Sequence, residues 1–341
     1  MPMDKVDFEK YIEVANDQAN YALREFIAKI NLLENENGCW SDLEMKDFKA
    51  SIGIRLNKNR APRDKEALSE HSKNVDFVKQ VLMKNGDLAL DVLDIIFARW
   101  LKSSNICENY IEISVDEILI DRALKKKKSS SGRRGGYTNR QRSFIEDILE
   151  ALACLYIKVE GMQITEMVNG KKVRKSWKGE SRVMELKDSA DSEYYDHFTF
   201  KIRPGKVLTK SIFIGRETAL LNKKVLQYHP SNYKWEKRLS RYLSWLWRIN
   251  LARTSRGLKV GNLLVSIGMK LNKGRLKRTK DRFEKALNRL EQDGVISSWH
   301  YEDFEINTDK YNWWSKWQER NVIIHPPEEV VMHYEKIKGK K

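Results

Sequence analysis

Several chemistries are absent from this chain. It has three cysteines in 341 residues, Cys39, Cys107 and Cys154, far apart and without a CxxC pair. That excludes a disulfide framework and a zinc knuckle, and it fits a reducing, cytoplasmic setting. Cys154, inside the largely apolar run 148–156, is expected to be a buried core thiol. No apolar run approaches the roughly 18 residues that a membrane span needs, and the start MPMDKVDFEK does not read as a signal peptide. A phosphate loop of the GxxxxGK[ST] type is missing, since GRRGGY and GNLLVSIGMK lack its spacing and hydroxyl. The six histidines are scattered, with no HxH or HExxH pair, which disfavours a metal-dependent nickase and a zinc protease. HPPEEVVMHY places a histidine before a tyrosine as in tyrosine recombinases, but the supporting arginine–histidine box is absent. The expectation is a chain with no catalytic residues, no metal and no cofactor.

Positive charge is abundant: 64 Lys and Arg against 48 Asp and Glu give +16. Such a balance favours a polyanion, nucleic acid before membrane. Hydrophobic residues at 41% suffice for real cores, and the length suggests two domains with a smaller extra module.

The most informative stretch is 259–299, KVGNLLVSIGMKLNKGRLKRTKDRFEKALNRLEQDGVISSW. It reads as a short helix, a turn at 271–273, a long basic helix over 273–292 and a strand from 294. Leu276, Phe283, Leu287 and Leu290 recur at helical spacing and define one apolar stripe. At about 100° per residue, Arg278, Arg282 and Lys285 fall opposite, with Lys277 on the flank. Residues 270–289 hold nine Lys or Arg and two acids. A helix that packs on one face and is cationic on the other suits the DNA major groove; the alternative is a solvated charged face. Arg278 and Arg282 are the expected base readers, because Arg bridges guanine O6 and N7. Lys273, Arg275, Lys277 and Lys285 are expected on phosphates, and Asn272 as the cap.

Upstream, 5–36 looks helical, with Tyr11, Val14, Tyr21, Leu23, Phe26, Ile30 and Leu33 as core contacts. Residues 53–75 read as a linker with a short helix at 64–71. From Gly86 a helix places Leu90, Leu93, Ile96, Phe97 and Trp100 on one face. YIEIS (110–114) follows as a strand, and SVDE opens a helix 115–124 with a capping box. The run 125–142 carries eight basic residues and no acid. It reads either as an arm for the phosphate backbone or minor groove, or as a solvated loop. Thr138 is expected to cap a helix reaching 155, with Phe144, Ile145, Ile148, Leu149 and Leu152 inward. Arg133, Arg134, Asn139 and Arg140 are its DNA-contact candidates. A strand at 156–164, a basic loop at 171–179 and strands near 181–187 and 197–203 complete a long hairpin. In that loop Lys172 and Arg174 are candidate contacts, and Trp177 either stacks on a base or pins the hairpin.

The pattern then recurs. A helix over 233–252 points Leu239, Tyr242, Leu243, Leu246 and Ile249 inward, and the basic helix and its strand follow. After an acidic connection at 302–309, Asn321–His325 supplies the returning strand, stopped by Pro326 and Pro327. Trp245 and Trp247 are expected in a core, and Trp313, Trp314 and Trp317 close the domain. The fold class expected is α+β, mainly helical: a helical N-terminal extension and linker (1–80) and two tandem winged-helix domains (81–215 and 230–335).

This layout resembles the replication initiator proteins of bacterial plasmids, which are built from two winged-helix domains. The likeness is carried by LEQDGVISSWHYED (290–303) after the basic helix and WWSKWQERNVIIHPP (313–327) closing the domain. It spans roughly residues 87–330 and rests on layout, because no diagnostic motif is present. It implies binding of directly repeated origin sequences by helices 138–155 and 273–292, recruitment of host replication proteins and repression of the chain's own promoter. It also allows a homodimer. A winged-helix transcriptional regulator and a DNA-processing enzyme such as a nickase or recombinase are the alternatives.

Overall fold

The computed structural model describes residues 10–15, 17–29, 40–45, 48–54, 67–103, 110–127, 136–169, 171–188, 198–215, 218–250, 257–269, 275–302 and 312–339. The chain is mixed α+β, mainly helical, with small antiparallel sheets. It opens with β1 (Tyr11–Ala15), α1 (Gln18–Lys29), β2 (Trp40–Met45), β3 (Phe48–Ile54) and α2 (Ala67–Lys102). Next come β4 (Ile111–Ser114), α3 (Val115–Asp121), α4 (Asn139–Ala153), β5 (Leu155–Val168) and β6 (Lys171–Arg182). β7 (Met184–Asp188), β8 (Thr199–Pro204), α5 (Lys206–Gly215), β9 (Thr218–Asn222) and α6 (Lys224–Gln227) follow. The remainder is α7 (Lys234–Ile249), β10 (Leu258–Lys259), α8 (Val260–Ser266), α9 (Leu276–Gln292), β11 (Ser298–Tyr301), α10 (Trp313–Glu319), β12 (Asn321–His325) and α11 (Glu328–Gly339). Two compact units result, one of residues 15–218 and one of 1–14 with 219–341.

In the 15–218 unit, α2 is the central element. Its second half buries Leu90, Leu93, Ile96, Phe97 and Trp100, as the spacing predicts. Helix is already present from Ala67 and runs to a kink at Asn85 (φ −127°, ψ 20°), so the linker expected over 53–75 is helix in its last part and strand at Gly53 and Ile54. Val78, Val81 and Leu82 explain that: they continue the buried stripe upstream of the kink. Of the stretch 5–36 expected to be helical, the described residues form the strand β1 as well as the helix α1. YIEVA is a strand because four of its five residues are buried, more than one amphipathic face can provide. The β2–β3 hairpin joins a four-stranded antiparallel sheet in the order β2-β3-β5-β6. Ile30 and Leu33 lie outside the described residues.

Ser114 and Thr138 each cap a helix through a full capping box, with Glu117 and Gln141 returning the bond. Buried Ile145, Ile148, Leu149 and Leu152 turn α4 onto α2. Phe144 is half-buried, and so is Cys154, which forms the C-cap of α4 and is not the core thiol expected. The basic loop expected at 171–179 is the strand β6. It pairs with β5 from Tyr156↔Arg182 to Val168↔Lys171. The sheet that β4 builds has the order β4-β8-β7, all antiparallel. Gly205, where β8 turns into α5, sits against the Arg182 carbonyl, which an added Cβ would meet at 1.7 Å.

The other unit repeats that order. α2-β4-α3-α4-β7-β8 is matched by α7-β10-α8-α9-β11-β12, and the sheets β4-β8-β7 and β10-β12-β11 share the sequence first, third, second strand. β1 pairs with β9, so the start of the chain completes the unit that resumes at residue 219. α7 departs from its apolar pattern. Leu239 and Leu243 are buried as expected, but Tyr242 and Leu246 are half-buried and Ile249 is 54% exposed. The helix instead buries Glu236, Lys237, Arg238, Ser240, Arg241 and Ser244. Polar groups hold that face: the Lys237 ammonium donates to Val225 O (2.6 Å), Arg238 to Ile267 O (3.0 Å) and Ser244 to Leu220 O (2.7 Å). Tyr334 of α11 is fully buried; its hydroxyl oxygen accepts from the Leu220 amide (3.0 Å), and burial pushes its pKa up to about 12.

Candidate nucleic-acid interface

α9 carries Lys277, Arg278, Lys280, Arg282, Lys285 and Arg289. Phe283, Ala286, Leu287 and Leu290 are fully buried and Leu276 is half-buried, so the apolar stripe read from spacing is the packed one. Phe283 meets Trp317 edge-on at 5.7 Å, and the Trp317 indole N–H donates to the Tyr301 hydroxyl (2.8 Å). Trp317 is buried, Trp313 and Trp314 are half-buried against one another, and Trp247 is buried, so these rings are packing groups.

The flanks of α9 are tied down on both sides. Arg282 donates two hydrogen bonds to Glu236 of α7 (2.7 and 2.6 Å) and a third to Asn232 O (3.1 Å). The Glu236 side chain is only 2% exposed. On the β11 side, Tyr301 donates to Glu284 (2.9 Å), which also takes Lys280 (2.8 Å), and the Trp299 indole donates to Asn288 (2.9 Å). Burial pushes the Tyr301 hydroxyl pKa up. At the C-terminal end Arg289 pairs with Asp293 (2.8 Å), which accepts from Tyr228 (2.8 Å). Burial, and then that hydrogen bond, raise the Tyr228 pKa.

Arg275, Lys277, Arg278 and Lys285 are left exposed, and among the described residues no hydrogen bond or ion pair engages their side chains. Lys277, Arg278 and Lys285 therefore share one face and Arg275 is exposed at the helix start, while Arg282 is held against α7 instead. Nothing local along the chain signals that bond, because Glu236 is 46 residues away. Lys273, the turn 271–273 and Asn272 lie outside the described residues. Arg275 stands at the N-cap of the described helix without a side-chain cap bond.

In the 15–218 unit, Asn139 and Arg140 are exposed in the first turn of α4. The next basic residue, Arg142, is bound bidentately by Asp116 of α3 (2.7 and 2.8 Å) and lies over the Phe198 ring. Arg142 holds the Asp116 carboxyl below its ordinary pKa, chiefly through this hydrogen bond. The arm upstream has a closed base. Lys127 and Gly136 exchange both backbone hydrogen bonds (2.9 and 3.1 Å), and Tyr137 donates to Leu124 O (3.0 Å). Lys125, Lys126 and Lys127 are exposed at that base, and sequence reasoning passed over them for Arg133 and Arg134, which lie outside the described residues. On β6, Arg174 is exposed, while nothing is described of the Lys172 side chain. Trp177 packs over Gly179, with the Lys210 ammonium 5.1 Å from its ring. It is half-buried on the hairpin, the pinning alternative of the two.

Among the described residues, no group of three His, Cys, Asp or Glu is placed to hold a metal ion, and no helix is long and apolar enough to cross a membrane. No family model and no curated protein matches the chain. Among the solved structures that resemble it are two of domains 2 and 3 of RctB, both 13% identical to it. One, a selenomethionine derivative, has a TM-score of 0.40 and covers 80% of this chain and 86% of that one. The other has a TM-score of 0.41 and covers 86% of this chain and 93% of that one.

Proposed function

We propose that this chain binds double-stranded DNA sequence-specifically through two winged-helix domains, spanning 81–215 and 230–335, and initiates plasmid-type replication at the origin it recognises. The observation that carries the DNA-binding reading is the outward face of α9, where Lys277, Arg278 and Lys285 stand exposed, with Arg275 exposed at its start, on a helix braced from both sides. A free cationic face on a fixed helix is the form that major-groove reading takes. The repeated element order supports a second reading helix, α4, with Asn139 and Arg140 at its exposed start. The replication role rests on the resemblance to plasmid initiators, and with it come recruitment of host replication proteins and a homodimeric state.

In this reading Arg278 contacts guanine, while Arg275, Lys277, Lys285 and Lys273 neutralise phosphate. Arg282 positions the helix through Glu236. Asn139 and Arg140 face bases, and Arg133, Arg134, Lys172 and Arg174 the backbone. The experiment is selection from a random duplex library at near-physiological salt, followed by footprinting. A strong motif protected over about two helical turns is the expected result. Binding with no motif that vanishes as salt rises would overturn sequence recognition. A plasmid carrying the selected site and this gene then tests the role: replication is expected, and binding without replication would leave a regulator.

A further inference from the structure

One acid stands on the outward face of α9. Asp281 lies three residues after Arg278, four after Lys277 and four before Lys285, which puts all four on adjoining positions of one helical surface. It is exposed, and among the described residues no ion pair or hydrogen bond engages its carboxylate. The helix's other acid in this stretch, Glu284, is already used by Lys280 and Tyr301. Asp281 also lies beyond the first turn, which holds no acid, so the helix dipole does little to account for it.

On a surface facing only phosphates, this carboxylate would repel its partner. The group on DNA that welcomes it is an exocyclic amine in the major groove. Cytosine presents its N4 amino group there with no acceptor of its own beside it. Adenine sets the N7 acceptor next to its amine, and guanine and thymine present O6, N7 or O4 acceptors that a carboxylate repels. Three residues of helix rise about 4.5 Å, close to one base step of about 3.4 Å, so neighbouring pairs face Arg278 and Asp281.

We propose that Asp281 is a specificity-determining residue, whose carboxylate accepts from the N4 amino group of a cytosine at a base pair next to the one read by Arg278. This deepens, and rests on, the DNA-binding reading above. Asp281 sets which sequence is bound, at a cost in general attraction for the duplex.

The test selects duplexes from a random library with the full-length chain and with Asp281→Ala and Asp281→Asn, and measures each protein on its selected duplex, on single-base variants and on random DNA. The wild type is expected to enrich a motif with cytosine at one inner position. Asp281→Ala is expected to lose preference there alone, with discrimination falling about tenfold, while its binding to random duplex strengthens. Asp281→Asn is expected to exchange cytosine for adenine, since a carboxamide matches adenine N6 and N7. Retention of the wild-type motif by Asp281→Ala, with tighter binding to every duplex alike, would overturn the proposal and leave the DNA-binding reading standing. A wild type that enriches no motif would overturn both. Matching thermal unfolding of the three proteins excludes misfolding, because the side chain is exposed.

Discussion

Glu236 and Arg282 show how a single pair decides what a helix face can offer. Glu236 is almost wholly buried, so removing either partner strands a charge or leaves an oxygen pair unsatisfied. Glu236→Ala is expected to lower stability by about 3 kcal/mol in urea unfolding, and the double change to Met at both positions to restore most of it. Restoration of stability by the double variant with loss of sequence preference is the signature of a positioning role. Periodicity identified the side of α9 on which Arg282 lies, but not the acid waiting there, because hydropathy patterns carry no information about a partner on another helix. The same blindness affected α7, whose buried face holds Lys237 and Arg238 on backbone carbonyls while Ile249 faces out. At Asp116 the sign of the pH effect follows from its lowered pKa. The bond to Arg142 stabilises fully above the unfolded carboxyl value of about 3.9 and is lost as pH falls through the lower folded value. Asp116→Asn is therefore expected to flatten the acid limb of a stability-against-pH curve; an unchanged limb would remove Asp116 from the account.

Among the elements, those with strong local chemistry were legible. The capping box at Ser114, the helix cap at Thr138, the strand Asn321–His325 and the stripe of α9 stand where they were expected. Thr138→Ala is expected to cost about 1 kcal/mol by thermal or urea unfolding, through loss of the hydroxyl acceptor for the Gln141 amide. β6 was not legible, since KKVRKSWKGESR has no alternation of apolar and polar residues. What makes it a strand is its partner: β5 supplies the backbone ladder, and Trp177 lies flat over Gly179. A methyl group at residue 179 would meet the indole at 2.3 Å. Gly179→Ala is thus expected to displace the ring, shift its fluorescence and cost about 1–3 kcal/mol. An unshifted spectrum would show that the ring has room to yield.

For the whole molecule, charge excess pointed to a polyanion and the recurrence of element order was visible along the sequence. The pairing of β5 with β3 was not, because strand pairing over a hundred residues leaves no local trace. A double change of Lys277 and Lys285 to Ala is expected to reduce the slope of log affinity against log salt by about 1.8, if each lysine neutralises one phosphate. An unchanged slope would place both outside the contact. The pairing of β1 with β9 has a consequence of another kind. A ribosome releases β1 first, yet the strand beside which it rests is made only after about two hundred further residues. At about 5–20 residues per second that interval lasts on the order of 10–40 s. The intervening unit therefore has time to fold while the opening strand, already made, still lacks its neighbour.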